Sequence, residues 1–334
     1  MIGGEFEIAR CIKPVSFVPA PDTFYYASGR SALFQILLSL DLRNRTVWLP
    51  DYLCGSIVEA VRRAGYSFVF YRLDDQLMTC VKDLAESGFN DGDIVLLINY
   101  FGLQDLRGVS EGIKDMFPAA TVVEDDVQAL FCFLESPNPF ADYCFTSLRK
   151  WISVPDGGLV YTKKTMPVPA RGNTFASVKF EAGLMKARRG EAGVRDEDYL
   201  ALFKKGEELV DENYHGGMSQ EGIGLFGGTD LQAVKRQRLK NVRTLLSGLA
   251  ELGIAPMLEV RAEQVPLFIP VFLSDRDSIR KGMFAHEVFC PVHWPLLDGL
   301  LIGRGGMMAR HELSLIVDQR YGTDDMVRIL ELLK

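Results

Sequence analysis

The chain has 334 residues, 48% of them apolar and 24% charged, a balance that predicts a soluble globular protein with a sizeable core and excludes a disordered or fibrous one. A net charge of -7 supplies no field to gather nucleic acid or an anionic membrane surface, and no segment stays apolar for the ~18 residues a spanning helix needs, so neither partner is expected. The start, MIGGEFEIAR, carries acids and no apolar signal run, and the expected location is the cytoplasm.

The first helix signal is YASGRSALFQILLSL, where Ser28 and Gly29 precede Leu33, Leu37 and Leu40 at helical spacing, so a helix begins near Arg30. Its free first-turn amides and positive dipole end would attract an anion, with Gly29 admitting close backbone approach and Ser28, Arg30 and Ser31 adding donors. An ordinary N-cap before a core helix has the same appearance. Onward, apolar β-type runs alternate with amphipathic segments. The predicted strands are Thr46 to Pro50, Ser67 to Leu73, Asp93 to Phe101, Thr121 to Asp125, Asp142 to Leu148 and Gly158 to Thr162, and helical patterns such as SIVEAVRRAG and LRGVSEGIKDMF lie between the first four. The alternation predicts an α/β core with a mostly parallel open sheet flanked by helices.

Two strand ends carry chemistry. TVVEDDVQAL closes on three consecutive carboxylates, and in open α/β sheets ligands bind outside that edge. Alternation sends Val123 and Asp125 to one side of the strand and Glu124 to the other. An exposed acidic turn would also produce this run. The second end is FTSLRKWISVPDGG, with Ser147 three positions before Lys150 and a glycine-rich loop after it; a strand-end lysine is commonly a solvated charge.

Beyond Lys164 the texture changes to a proline-rich turn, a charged helix-prone region from Ser177 to Glu212, and the basic helix DLQAVKRQRLKNVRTLLSGLAEL. VPLFIPVFL then reads as a strand, DRDSIRKGMF as a helix and TDDMVRILELLK as the closing helix. The expected domains are a large α/β unit over 1–165, or extending to about 225, and a smaller C-terminal α+β unit over 226–334. The six cysteines, Cys11, Cys54, Cys80, Cys132, Cys144 and Cys290, form no C-x-x-C pair and read mostly as reduced core residues. The histidines His215, His286, His293 and His311 lack ligand spacing, and no metal site is expected.

An anion cradle, a strand-end carboxylate and a strand-end lysine, in that order within one α/β domain, match the needs of a pyridoxal 5'-phosphate site. The lysine amine forms a Schiff base with the cofactor aldehyde, the carboxylate keeps the pyridine nitrogen protonated, and the cradle holds the phosphate.

At SGRSAL, LPDYLCGSIVEAVRRAG, VVEDDVQAL, FTSLRK and DQRYGTDDMVRIL the chain resembles the DegT/DnrJ/StrS aminotransferases, which have fold type I. The resemblance covers most of the chain. It implies that Lys150 is the Schiff-base lysine and Asp125 the pyridine-binding acid. Gln128 takes the place of the residue beside the cofactor's ring hydroxyl, Gly29, Arg30 and Ser31 match the phosphate turn, and Ser147 a serine that also touches phosphate. Where the family stacks an aromatic residue on the ring this chain has Cys54, with Tyr52 as another source of a ring. The Asn-x-Arg element that reaches the neighbouring subunit's phosphate has no clean match, since Asn213 to Ser219 keeps Met-Ser and an asparagine without the arginine.

The implied activity is ping-pong transfer of an amino group from an amino-acid donor, glutamate being the family's usual one, to a keto or aldehyde acceptor, a keto-sugar among the candidates. A homodimer with shared active sites is implied as well. Arg149 is read either as a contact to acceptor or phosphate or as a structural ion pair, and His293 and Trp294 either as a packed turn or as acceptor-side residues. The alternatives are a non-catalytic ligand-binding or regulatory descendant, against which the joint presence of Lys150, Asp125 and Gln128 argues, or a cofactor enzyme of another type. Sugar dehydratases of the family replace the lysine with histidine, so Lys150 weighs against that branch.

Overall fold

The computed structural model describes residues 1–8, 20–42, 44–170, 172–294 and 304–334, the side chains of 304 and 305 excepted; Cys11 lies outside them. After a short β1 (Ile2–Gly3), the chain forms β2 (Thr23–Tyr26), α1 (Gly29–Leu40), β3 (Thr46–Pro50), α2 (Gly55–Arg63), β4 (Ser67–Tyr71) and α3 (Val81–Glu86). Then come β5 (Ile94–Ile98), α4 (Arg107–Met116), β6 (Thr121–Asp125), α5 (Leu130–Glu135), β7 (Tyr143–Ser147) and β8 (Gly158–Tyr161).

Seven of these strands make one sheet in the order β2-β8-β7-β6-β5-β3-β4, parallel from β7 to β4 and antiparallel at β8 and β2. The sequence explains the layering. β5 is IVLLI, buried at every position, as a central strand covered by helices on both faces must be. β4, at the edge, alternates exposed Ser67 and Val69 with more covered Phe68 and Phe70. Thr46 to Pro50 and Thr121 to Asp125 are strands with the predicted bounds and the other predicted strands of this half are present but shorter, whereas the sequence did not mark β1, β2 or, later in the chain, β10 (Val288–Phe289) and β11 (Glu312–Ile316).

The second half begins with α6 (Phe175–Ala187) and α7 (Asp196–Val210), which pack on each other, followed by α8 (Gln220–Gly227) and the long α9 (Leu231–Glu251). It continues through β9 (Phe268–Phe272), α10 (Arg276–Ala285), β10 (Val288–Phe289), α11 (Arg304–His311), β11 (Glu312–Ile316) and α12 (Thr323–Glu331). Antiparallel β9 and β11 share a separate apolar core with Leu245 and Leu249 of α9 and Ile329 of α12. Ile2 joins that core because β1 pairs with β10, so the first residues are tied to the last third of the chain. Among the described residues no helix is long and apolar enough to cross a membrane. The described cysteines are free thiols, but only Cys144 and Cys290 are buried; Cys80 is exposed, because it caps α3 at the surface instead of filling the core.

One close approach fixes where α1 begins. β8 passes so near its start that a Cβ on Gly158 would stand 2.0 Å from the Ser28 carbonyl oxygen, and the obstacle is backbone that cannot swing aside. Gly158→Ala is therefore expected to cost about 2–3 kcal/mol of stability, read as a lower midpoint in urea. An unchanged midpoint would mean that the turn before α1 yields freely.

Candidate active site

The parallel strands end on one edge of the sheet, and the strand order reverses between β5 and β3, where open α/β sheets leave a crevice. A cavity of about 210 Å³ opens there. Cys54 follows β3 into its wall, Ile98 ends β5, Asp125 ends β6, Ser147 ends β7, and Lys150 projects from the 3₁₀ turn Leu148–Lys150 directly after β7. Gly29 and Arg30 at the start of α1 and Gln128 after β6 complete the set expected from sequence. Only Ser31 is missing from the wall. Its amide goes to the Ser28 hydroxyl at 3.1 Å and its own hydroxyl donates to the Asn213 carbonyl at 3.0 Å, so Ser31 builds the turn from within.

The turn itself is shaped for an anion. Ser28 caps α1, taking the amide of Ser31 on its side chain and that of Ala32 on its carbonyl, which leaves the first-turn amides of Gly29 and Arg30 at the cavity. A Cβ on Gly29 would stand 3.3 Å from both Ser147 and Val127, so the backbone already sits against β7. The Arg30 guanidinium does not face an incoming anion with a free charge. It pairs with Glu207 at 2.8 Å and Asp211 at 3.0 Å.

Asp125 is buried, and burial pushes its carboxyl up to about 6, against the opposing pull of the Val127 amide, which donates to Oδ1 at 2.8 Å, and of the Lys150 charge. Glu124 turns the other way, as the alternation requires, and accepts from Asn138 at 2.6 Å. The Gln128 carbonyl oxygen accepts the Phe101 amide at 2.7 Å, but its Nε2 is buried without a partner, a donor left waiting for an acceptor. Lys150 is exposed, and its amine makes no hydrogen bond or ion pair among the described residues. Arg149, beside it, pairs with Glu207 at 3.1 Å, which favours the ion-pair reading of that residue, though its Nε is buried and unpartnered.

The aromatic wall differs from expectation. Tyr52 lies off the cavity, stacked on Tyr100 with ring centroids 5.6 Å apart and donating its hydroxyl to the His293 carbonyl, because its ring packs in the core against the 3₁₀ turn Tyr100–Gly102 that follows β5. Phe145 and Trp294 supply the rings instead. His293 is half-buried, its Nδ1 2.8 Å from the Ser314 hydroxyl, and loss of solvent around the ring, with the Lys150 charge, pushes the imidazole down to about 3. The Asn213 to Ser219 segment folds against its own chain: Gly216 accepts the Ala27 amide at 2.9 Å, and Ser219 donates to buried Asp156 at 2.9 Å. Sequence reading missed Val127, Ser56 and Glu207 on the wall; Glu207 carries no local mark that separates it from the other acids of α7.

No family model matches the chain, and no curated protein is similar to it in sequence. Solved structures are similar in fold. Spr1654 from Streptococcus pneumoniae, in its PMP form, is 16% identical with a TM-score of 0.69, over 94% of this chain and 87% of that one. A DegT/DnrJ/EryC1/StrS aminotransferase from Brucella abortus is 13% identical with a TM-score of 0.65, over 95% and 91%. The sugar aminotransferase CalS13 from Micromonospora echinospora is 14% identical with a TM-score of 0.65, over 94% and 87%. The fold is that of the DegT-type aminotransferases. In this fold type I architecture the crevice at the ends of β5, β6 and β7 is the cavity that Lys150 and Asp125 share.

Asp125 has a consequence for stability. Its folded-state pKa of about 6 lies above the ordinary value of 3.8, so the group favours the folded chain below that ordinary value, and the contribution is lost as pH rises through 6. Asp125→Asn keeps an oxygen for the Val127 amide and removes the buried charge. The ligand-free variant is expected to be about 1–3 kcal/mol more stable than the parent at pH 8 and nearly equal to it at pH 4, in urea unfolding at both values. Equal stability at pH 8 would show that Asp125 is not under strain from burial.

Proposed function

We propose that the chain is a pyridoxal phosphate-dependent aminotransferase, moving an amino group from an amino-acid donor to a keto or aldehyde acceptor in two half-reactions, with Lys150 as the reacting amine. The observation that carries this reading is the shared wall: the Lys150 amine, the buried Asp125 carboxyl, the unpartnered Gln128 Nε2 and the first turn of α1 border one cavity. The PMP form of Spr1654 supports the choice of cofactor.

The residues fit that group. The Gly29 and Arg30 amides, with the Ser147 hydroxyl, would receive its phosphate. Asp125 would hold a proton on the ring nitrogen, and a cation set against it draws the carboxyl back from its raised value toward the charged form. Gln128 Nε2 would donate to the ring hydroxyl. Cys54, Phe145 and Trp294 flank the space left for the ring. When bound, pyridoxal phosphate supplies an electron sink that lets an amine pass between carbon skeletons. Lys150 Nζ binds the cofactor at rest and, once a donor has displaced it, moves a proton at the substrate Cα. Glutamate is the donor to try first, and the naming of CalS13 as a sugar aminotransferase supports keto-sugars among the acceptors. The same reading makes the protein a homodimer whose subunits share their sites.

Loading the chain with pyridoxal phosphate and reducing it with borohydride is expected to leave the cofactor's mass on the peptide carrying Lys150. Lys150→Ala should lose both that mass and, by about a thousand-fold or more, the conversion of donor to keto acid. Cofactor mass on a different peptide would sink the assignment.

A further inference from the structure

A second cavity, of about 400 Å³, shares Lys150 and Arg149 with the first and extends between the N-terminal residues, α9 and α10. Five cations line it, Arg149, Lys150, Arg238, Arg280 and Arg320, against two carboxylates, Glu5 and Asp318. Both carboxylates are already taken. Asp318 receives Arg320 at 3.0 and 2.8 Å in a two-pronged pair, and Glu5 meets Lys179 at 3.3 Å. Arg149 has Glu207. That leaves Lys150, Arg238 and Arg280 with no carboxylate partner among the described residues.

Arg238 is the more telling of the two arginines. It is 0% exposed, with its guanidinium 4.6 Å from the Trp151 ring. Nε donates to Gln319 at 2.9 Å and Nη1 to the carbonyls of Pro266 and Leu267 at 3.3 Å, while Nη2 has no partner. Burial pushes its pKa down to about 10, against the attraction of Asp318, whose carboxylate is already paired with Arg320. Arg280 is half-buried; its Nε donates to the Cys290 carbonyl at 3.1 Å, its plane lies 4.4 Å from the Phe284 ring, and its terminal nitrogens have no partner among the described residues. Guanidiniums with free N–H groups on one cavity match the geometry of a carboxylate or phosphate that enters it.

We propose that this cavity receives an oxyanion of the carbonyl acceptor: the acceptor carries a carboxylate or phosphate that lies toward Arg238 and Arg280, its carbon skeleton rests against Phe268 and Phe284, and its carbonyl lies beside Lys150, where it would exchange its oxygen, released as water, for the amine the loaded cofactor carries while Lys150 moves the proton. The proposal rests on Lys150 being the reacting amine. It narrows the acceptor to acids and excludes neutral aldehydes and ketones as good substrates.

The test begins with calorimetric titration of the pyridoxal phosphate-loaded chain by inorganic phosphate and, separately, by succinate. At least one is expected to bind, and Arg280→Ala, which touches only the second cavity, to weaken it about ten-fold or more. Arg238→Met is expected to do the same, with its fold checked by circular dichroism; should it not fold, Arg280→Ala decides alone. Phosphate binding without succinate marks a phosphorylated acceptor, and the reverse a carboxylated one. With the chain in its amine-loaded form, succinic semialdehyde is expected to discharge the amine at least about ten-fold faster than butanal, an advantage lost in Arg280→Ala. No binding by either anion, binding indifferent to Arg280, or equal rates for the two aldehydes overturns the proposal. Loading keeps the two readings apart: a chain that never takes cofactor onto Lys150 refutes the aminotransferase, and Arg280-dependent heat measured on that unloaded chain still decides the anion site.

Discussion

The Glu207 carboxylate receives Arg30 at 2.8 Å, Arg149 at 3.1 Å and Lys179 at 2.8 Å, and that junction ties the first turn of α1 to the residue beside Lys150. Arg30 belongs to the first turn of α1, Arg149 is the neighbour of Lys150, and Lys179 comes from the middle of α6. Three cations converging on one point would repel one another and splay the turn from the strand end. With the carboxylate among them, each cation is held by a shared partner. Burial alone would raise the Glu207 carboxyl, but the attraction of Arg149, Lys179 and Arg30 outweighs it and holds the group well below the usual range. It therefore stays charged at any pH where the chain would work, and its contribution is lost only in acid, below the ordinary carboxylate value.

What the sequence made legible was local. Gly29, Asp125 and Lys150 each stand where a strand meets a turn or a turn meets a helix, so hydrophobic pattern and punctuation mark them without knowledge of the fold. Glu207 could not be found that way, because DEDYLALFKKGEELV offers five acids on one helix and only the packing of α7 against α6 selects which one reaches Arg30 and Arg149. Ser31 misled for the opposite reason. Its place in the turn is right, but capping geometry turns its hydroxyl to the Asn213 carbonyl, and sequence does not distinguish a hydroxyl that lines a cradle from one that braces it. Tyr52 was a spacing argument defeated by a neighbour: Tyr100 stacks on it and holds it in the core. The strands the sequence did not mark lack the unbroken apolar run of β5: β1 and β10 are two residues each, β2 is TFYY, and β11, ELSLI, is broken by Glu312 and Ser314.

A lysine at the end of a buried strand makes sense once both cavities are considered. On one side lie Asp125 and the amides of α1; on the other lie Arg238, Arg280 and neutral His293. Lys150 borders both cavities, and its amine has no hydrogen bond or ion pair among the described residues. Exposure, which taken alone suggests a solvated charge, in this position leaves the amine open to both spaces.

The run Glu124, Asp125, Asp126 raises the question of how three adjacent acids can be buried together. Burial and the Glu124 charge push Asp126 well above the ordinary range, and burial raises Glu124 as well, so the two share a proton across their hydrogen bond. Asn138 and Asn99 take the remaining oxygens, at 2.6 and 3.4 Å. Asp125, facing the cavity, is raised to about 6 by its own burial, against the pull of the Val127 amide and the Lys150 charge, so adjacent acids at one strand end differ through what surrounds each of them.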